Sequence, residues 1–306
     1  MATSKIRIGW IGVGAMGQPI CRHLLKAGYA LDVYDKDPTK ISALVSEGAS
    51  AGISAGELAG KCDLIISMVW DDDGLRDVVL GPTGVLTGVR TGISYIDMST
   101  VSPKVSEEIA AQLARHDIPY LRAPVSGSVP VAEAGKLTIY ASGPRILFDS
   151  CQEILKAFST KQTYVGTKEE GRIVKLAINL ILQMSTAILG EVLAFGARAG
   201  VDRSTLMDAI NDSIVASPHY AVRSKSIKQR DLAFTVRWAS PKDLEIAMSV
   251  AKETGAIMPI ASLVQQYIRI ITNRPMPQNG FTALTTLMED INPVAAEDLA
   301  SRLPGS

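Results

Sequence analysis

Cysteine and histidine are both scarce. The 306 residues hold three cysteines, Cys21, Cys62 and Cys151, and three histidines, His23, His116 and His219. The cysteines are widely spaced and form no C-x-x-C pair, so neither a disulfide framework nor a thiolate metal site is available; inert thiols in a reducing compartment are expected. The histidines show no H-E-x-x-H spacing, which excludes a zinc-dependent alcohol dehydrogenase centre and leaves no metal expected. Charge of one sign is also lacking. Thirty-one Lys and Arg balance 31 Asp and Glu, so a nucleic-acid or anionic-membrane partner has no electrostatic support. A small acidic substrate stays possible, because it needs only a local charge. The opening MATSKIRIGWIG has one early cation and then a strand-like run. It reads as neither a secretory signal nor a transit segment, and a cytoplasmic location is expected. The most apolar stretch, Ile173 to Ala197, is interrupted by Lys175, Asn179, Gln183 and Glu191. It is expected to be a buried helix and not a membrane span.

What is present is enough to build a core: 47% of residues are hydrophobic and 20% charged. The first half alternates short apolar runs with amphipathic stretches. Strands are expected at Ile6–Ile11, Ala30–Tyr34, Asp63–Val69, Ser94–Met98, Pro119–Leu121 and Leu137–Ala141. Helices are expected from the GVGAMG run to Lys26, then over Thr39–Glu47, Pro103–Arg115 and Ile146–Phe158. Such alternation predicts a doubly wound, mostly parallel sheet with helices on both faces. From Gly171 the pattern is almost wholly helical: Ile173–Ala199, Arg203–Ile210, Pro241–Thr254, Ile260–Thr272 and Phe281–Glu289, with Pro275 and Pro277 in a turn. The chain therefore divides near residue 165, at YVGTKEEG. An α/β domain at 1–165 precedes an all-α domain at 166–306, which a long helix joins to it.

Gly12-Val13-Gly14-Ala15-Met16-Gly17 directly follows the first strand and opens the first helix. Gly12 permits a tight turn, Gly14 lets the backbone approach a pyrophosphate, and Gly17 allows helix to pack on strand. The helix start offers free N–H groups to the anion. Glycines also occur in turns that bind nothing, so a second feature matters. Asp35 ends the second strand, where a carboxylate can accept from both adenosine ribose hydroxyls and repel a 2′-phosphate. Together they indicate a Rossmann-type dinucleotide site that prefers NAD over NADP.

On a helix through Ile173–Ala197, Lys175, Asn179, Gln183 and Thr186 fall in one narrow stripe, and the other faces are apolar. A buried lysine is costly without a task, and desolvation brings its pKa toward the range of a general acid/base. The residues alone leave open a second reading, in which Lys175 snorkels at the helix start and Asn179 caps a neighbouring element.

Further motifs extend the pattern: DMST at 97–100, APVSGS at 123–128 followed by AEAGKL at 132–137, GRIVKLAIN at 171–179, and PKDLEIA at 241–247. With GVGAMG, they make the chain resemble the β-hydroxyacid dehydrogenase family, which includes 3-hydroxyisobutyrate dehydrogenase and tartronate semialdehyde reductase. The resemblance covers almost the whole chain. It implies an NAD(P)-dependent oxidoreductase acting on a small 3-hydroxy acid or its semialdehyde, or on glyoxylate or short semialdehydes. It also implies that Lys175 is the catalytic lysine and that Asn179 holds substrate. Ser126, Gly127 and Ser128 correspond to the turn that binds the substrate carboxylate, and Thr100 lies beside the nicotinamide. Lys242 lies near the nicotinamide end, and Val69 and Trp70 run along the adenosine ribose and nicotinamide path. Bland counterparts stand beside these: Ser126–Ser128 as a plain turn, DMST as a strand end with a cap for Pro103, and Lys242-Asp243 as an exposed first helical turn.

Four departures stand out: Ser128 for the family's third glycine, Arg122 for an Asp before A-P-V-S-G, Ile178 for an Asn before Asn179, and Trp70 for a Pro. Arg122 and Ser128 bracket the substrate turn and so bear on which substrate is taken. A His-based 2-hydroxyacid dehydrogenase is disfavoured, since only His219 lies in the helical half, in an expected polar loop. A decarboxylating sugar-phosphate dehydrogenase is far longer and has a His where Ile178 stands, and imine reductases generally lack the lysine. A non-catalytic NAD-binding protein stays open as another class. Exposed apolar faces of the helical half lead to the expectation of a homodimer or homotetramer.

Overall fold

The computed structural model describes residues 6–229, 240–273 and 281–293. The chain forms two compact units, Met1–Leu176 and Ala177–Ser306.

In the first unit, residues rich in Ile, Val and Leu form β1 (Arg7–Ile11), β2 (Ala30–Tyr34), β4 (Leu64–Ser67) and β5 (Ser94–Asp97). Short strands β3 (Ser50–Ala51), β6 (Tyr120–Arg122) and β7 (Val125–Ser126), and longer β8 (Leu137–Ser142) and β9 (Ser159–Gly166), complete the sheet. The order is β3-β2-β1-β4-β5-β6-β8-β7, with β9 beside β8. Neighbours from β3 through β6 run parallel, whereas β8 is antiparallel to β6 and β7. The order reverses between β1 and β4, and ligands of such sheets bind outside the carboxyl ends of the strands at that point. Alternate side chains of β4 enter different cores: Leu64 and Ile66 join one cluster with Trp10 and Val33, and Ile65 joins another with Tyr95 and Leu113. The unbroken apolar run in the sequence has this cause.

The helices of this unit are α1 (Gly17–Lys26), α2 (Ser42–Ser46), α3 (Ala55–Lys61), α4 (Asp72–Leu80), α5 (Pro103–Ala114), α6 (Val129–Glu133), α7 (Arg145–Ser150) and α8 (Gln152–Lys156). Two expectations need correction. The helix expected over Thr39–Glu47 is a 3₁₀ turn at Pro38–Lys40 followed by α2, because the Asp37 carboxylate caps the turn through the Thr39 N–H. The helix expected over Ile146–Phe158 breaks at Cys151 into α7 and α8.

Helix α9 (Glu170–Arg198) starts in the first unit and continues into the second. The boundary expected near residue 165 falls in the strand before it, while the compact units divide inside the helix. Its first turn belongs to the sheet unit because Arg172 is buried there. The second unit also holds α10 (Arg203–Asn211), α11 (Pro218–Lys228), α12 (Ser240–Thr254), α13 (Pro259–Asn273) and α14 (Phe281–Ile291). Its cores form where α13 presents Ala261, Val264, Ile268 and Ile271 to Ala187 and Ala194 of α9 and Leu284 and Leu287 of α14. A smaller cluster joins Leu189, Leu193, Met207 and Ile227. The turn expected at Pro275 and Pro277 lies outside the described residues.

The expectation that α9 is buried on nearly all faces is overturned. An 18-residue stretch of it has a mean hydropathy of 1.7, enough to cross a membrane by length and composition, yet only 39% of that stretch is buried. Ile181, Ile188, Val192 and Phe195 are exposed along one side. The polar stripe lies inward instead: Asn179, Gln183 and Thr186 are all buried.

Candidate active site

The glycine loop leaves the carboxyl end of β1 directly into α1. Gly12 has φ +96, and a Cβ there would lie 2.2 Å from the Met68 carbonyl oxygen. A Cβ on Gly17 would lie 2.2 Å from the Gly12 oxygen. Above Gly14 there is open space, with nothing within 4 Å of an added Cβ. Gly14 borders a cavity of about 250 Å³ that Val13, Ala15, Gln18 and Lys40 also line. Met16 immediately precedes the first helical residue. A tight turn, a bare glycine facing a cavity and a helix N-terminus fit the pyrophosphate of a dinucleotide.

Asp35 follows β2 at the same edge. Its Oδ2 accepts the Val13 N–H at 2.8 Å and its Oδ1 accepts the Asp37 N–H at 2.9 Å. Lys40 Nζ lies 3.6 Å from Oδ1. The carboxylate expected to accept from the ribose hydroxyls is therefore also part of the loop, and a lysine stands near it. Val69 and the exposed Trp70 follow β4, and Thr100 follows β5. The Val69 N–H donates to Ser99 Oγ at 2.8 Å. Thr100 is not the cap of α5, since that role belongs to Ser102, whose Oγ accepts from the Val105 N–H.

Ser126, Gly127 and Ser128 form the turn from β7 into α6. Gly127 has φ +144, and a Cβ there would lie 2.6 Å from Leu137 Cδ2. The turn thus needs glycine at its centre, while Ser128 adds a hydroxyl at the helix N-cap without a side-chain capping bond.

Beneath this edge lies a buried polar network that only partly shows in the motifs. Arg172, 1% exposed, donates from Nη1 to the Ser99 carbonyl at 2.5 Å and from Nη2 to Asp97 Oδ2 at 2.5 Å and Tyr120 Oη at 2.8 Å. Asp97 Oδ1 accepts from Ser67 Oγ and Ser99 Oγ, both at 2.6 Å. Arg122 Nη2 pairs with Glu169 at 2.5 Å, and its guanidinium lies 4.3 Å from the Tyr120 ring centre. Arg122 is therefore engaged inside the fold. Arg172 lies less than one helical turn before Lys175, so the network holds the part of α9 that carries the lysine to the strand that leads into Thr100. A second cation close to Lys175 on an apolar helix was the sequence signal for it.

Lys175 is half-buried, not enclosed as the sequence suggested. In the second unit, Asn179 Nδ2 donates to Asp243 Oδ2 at 2.6 Å, and both residues are buried. Lys242 Nζ lies 3.8 Å from Asp243 Oδ1. Asp243 thus fixes the Asn179 amide, a role that the sequence pattern alone did not assign. His219 lies in α11, not in the polar loop expected for it, and its Nε2 is 2.9 Å from Thr186 Oγ1 at the end of the stripe. Burial first, then the nearby Arg223, lowers its pKa to about 4. Cys21, Cys62 and Cys151 are free and buried. Burial and then the Asp32 charge push the Cys62 thiol up to about 12. None of them is a nucleophile at neutral pH.

Comparison with known proteins agrees with this geometry. Residues 7–166 match the family described as the NAD binding domain of 6-phosphogluconate dehydrogenase. Residues 170–288 match the NAD-binding domain of NADP-dependent 3-hydroxyisobutyrate dehydrogenase. Glyoxylate/succinic semialdehyde reductase 2 of Arabidopsis thaliana is 28% identical over 281 residues, covering 91% of this chain and 78% of that protein. Cytokine-like nuclear factor N-PAC of Homo sapiens is 30% identical over 280 residues, covering 91% of this chain but only 50% of its own length. The crystal structure of 3-hydroxyisobutyrate dehydrogenase from Salmonella typhimurium superposes with TM-score 0.81 at 27% identity, covering 92% of this chain and 100% of that one. The chain belongs to the β-hydroxyacid dehydrogenase family and is an NAD(P)-dependent hydroxyacid dehydrogenase.

Proposed function

We propose that this enzyme moves a hydride between NAD and a small carboxylate-bearing 3-hydroxy acid or its semialdehyde, with Lys175 as the proton-transfer residue. The observation that carries this reading is the inward stripe on α9, where Asn179, Gln183 and Thr186 are buried on an otherwise apolar helix. Lys175 heads that stripe, next to a turn that Arg172 anchors to Asp97.

In this reading, the N–H and hydroxyl groups of Ser126, Gly127 and Ser128 receive the substrate carboxylate, as such donors do without an arginine. Asn179, its amide held by Asp243, orients the reacting hydroxyl. Lys175 Nζ takes the hydroxyl proton in oxidation and returns it to the carbonyl oxygen in reduction. Thr100, Val69 and Trp70 are assigned to the nicotinamide path and Lys242 to cofactor binding, and bound nicotinamide would supply the hydride acceptor. Asp35 favours NAD by repelling a 2′-phosphate. Lys40 beside it softens that preference, so residual use of NADP is expected. The named relatives act on 3-hydroxyisobutyrate, glyoxylate and succinic semialdehyde, and all three carry the carboxylate this turn suits.

The test is a panel of hydroxy acids, semialdehydes and glyoxylate assayed in both directions with NAD(H) and NADP(H). Turnover with none of them, despite tight NADH binding, would overturn this choice of substrate class. Lys175→Ala is expected to lower kcat by about 10²–10⁴-fold, the usual contribution of a positioned general acid/base, and to leave NADH binding nearly intact. Wild-type kcat in that variant would remove the proton role.

We also propose a homo-oligomer assembled through the exposed side of α9, with no nucleic acid or membrane partner, in the cytoplasm. Three free, buried thiols support the reducing compartment, and cell fractionation with antibody detection tests it.

A further inference from the structure

The peptide group between Gly12 and Val13 is gripped from both sides by side chains. Its carbonyl oxygen accepts from the Trp10 indole Nε1 at 3.0 Å. Its N–H donates to Asp35 Oδ2 at 2.8 Å. Trp10 has no exposed surface, and it lies on β1 between β2 and β4. A phenylalanine would fill much of the same apolar space. What the indole adds is one N–H, and that N–H is directed at the loop.

The surroundings agree that this orientation matters. A Cβ on Gly17 would lie 2.2 Å from the Gly12 oxygen and 3.0 Å from Trp10 Nε1, so the inward carbonyl requires a bare residue at the start of α1. Gly12 reaches the geometry through φ +96. On the outer side, Gly14 and Ala15 are exposed at the cavity mouth. A Gly12 carbonyl turned outward would put partial negative charge where the pyrophosphate must lie. Held inward, it leaves the mouth to N–H groups and to the positive end of α1.

We infer that Trp10 is a positioning residue for the dinucleotide: with Asp35 it clamps the Gly12–Val13 peptide and preforms the phosphate loop. Asp35 then has two duties, cofactor choice and loop support, whereas Trp10 has only the second. The inference rests on NAD(P) binding and holds whichever hydroxy acid is the substrate.

Trp10→Phe keeps an aromatic ring and removes the donor. The expected result is a rise in Kd for NADH and for NADPH by the same factor, about five- to tenfold, as for one lost hydrogen bond. The ratio between the two cofactors stays at the wild-type value. Asp35→Ala raises the NADH Kd and also moves that ratio toward NADPH. In the double variant, the two losses combine to less than their product, because a peptide released on one side gains less from the other. Wild-type Kd values in Trp10→Phe, or a changed cofactor ratio, would overturn the inference. A purely structural role would lower the melting temperature and leave the Kd of the folded fraction unchanged, which also overturns it. Amide hydrogen exchange on the wild-type apoprotein needs no variant: the Val13 N–H is expected to be protected, and exchange at the rate of an exposed loop amide refutes the clamp.

Discussion

A half-buried histidine that stays neutral makes a pH-dependent contribution. His219 accepts no proton in the fold until about pH 4, because burial and then the Arg223 charge oppose it. In the unfolded chain it titrates near 6.5. Between those values the unfolded state binds the proton and the folded state does not, so stability falls as pH drops from about 6.5 toward 4 and levels off below that. The shift would correspond to about 3 kcal/mol for a fully enclosed group, and solvent screening of this partly exposed imidazole lowers it to roughly 1–2 kcal/mol. His219→Gln, which can still meet Thr186 Oγ1, is expected to flatten the dependence of unfolding free energy on pH in that window. Denaturant unfolding at pH 7 and pH 5 measures it, and parallel curves for wild type and variant would exclude the assignment. The same residue shows a limit of residue-level reading. In sequence, His219 sits in a polar stretch, SIVASPHY, and reads as loop. In the fold, Ser217 accepts from the Tyr220 N–H and caps α11, with Pro218 as its first residue, which turns the histidine toward α9.

Elements with strong periodicity were legible, and elements set by tertiary contacts were not. Strand β2 and the ends of α1 and α5 follow from apolar alternation, Gly28 and Pro103, and the stripe on α9 follows from its spacing. Short pieces such as β3, β7 and α6 exist because neighbours pair with them or pack on them: Val125 and Ser126 pair with Ile139 and Thr138 of β8. Helix α4 was missed although Asp71 caps it, because its first turn is acidic and reads as surface. The candidate site divides in the same way. Loops that recur as motifs were visible, whereas Arg172, Asp243 and Glu169 act through side chains distant in sequence. A further consequence belongs to α9 as an element. A Cβ on Gly190 would lie 3.0 Å from the Leu284 oxygen and 3.0 Å from Thr285 Cα. An alanine there gains about 1 kcal/mol of helix propensity but presses on the backbone of α14. Gly190→Val adds bulk that cannot turn away and loses most of that gain. It is expected to destabilise the helical unit by roughly 1–3 kcal/mol, the usual cost of overpacking. Thermal unfolding checks this, and an unchanged melting temperature would mean that α14 is free to shift.

For the whole molecule, the open question is what covers the outer side of α9. Ile181 is 60% exposed, Ile188 51%, Val192 39% and Phe195 73%. Spacings of seven, four and three residues keep these four on one side of the helix, so together they form a continuous apolar strip. Monomeric proteins rarely leave such a strip in water, since its burial is worth roughly 25 cal/mol per Å². A second copy of the chain can meet it with the same strip, giving a closed two-fold contact. Phe195→Glu places a charge at the most exposed residue of that strip and touches none of the residues placed in the active site. Size-exclusion with light scattering is expected to show the wild type as a dimer or larger and the variant as a monomer, or as a species that dissociates on dilution. Unfolding by denaturant separates the cause from misfolding: the monomer should keep a cooperative transition, with a midpoint that no longer depends on protein concentration. A variant that remains the size of the wild type would place the subunit contact elsewhere, and a wild type that elutes as a monomer would show that this strip faces water.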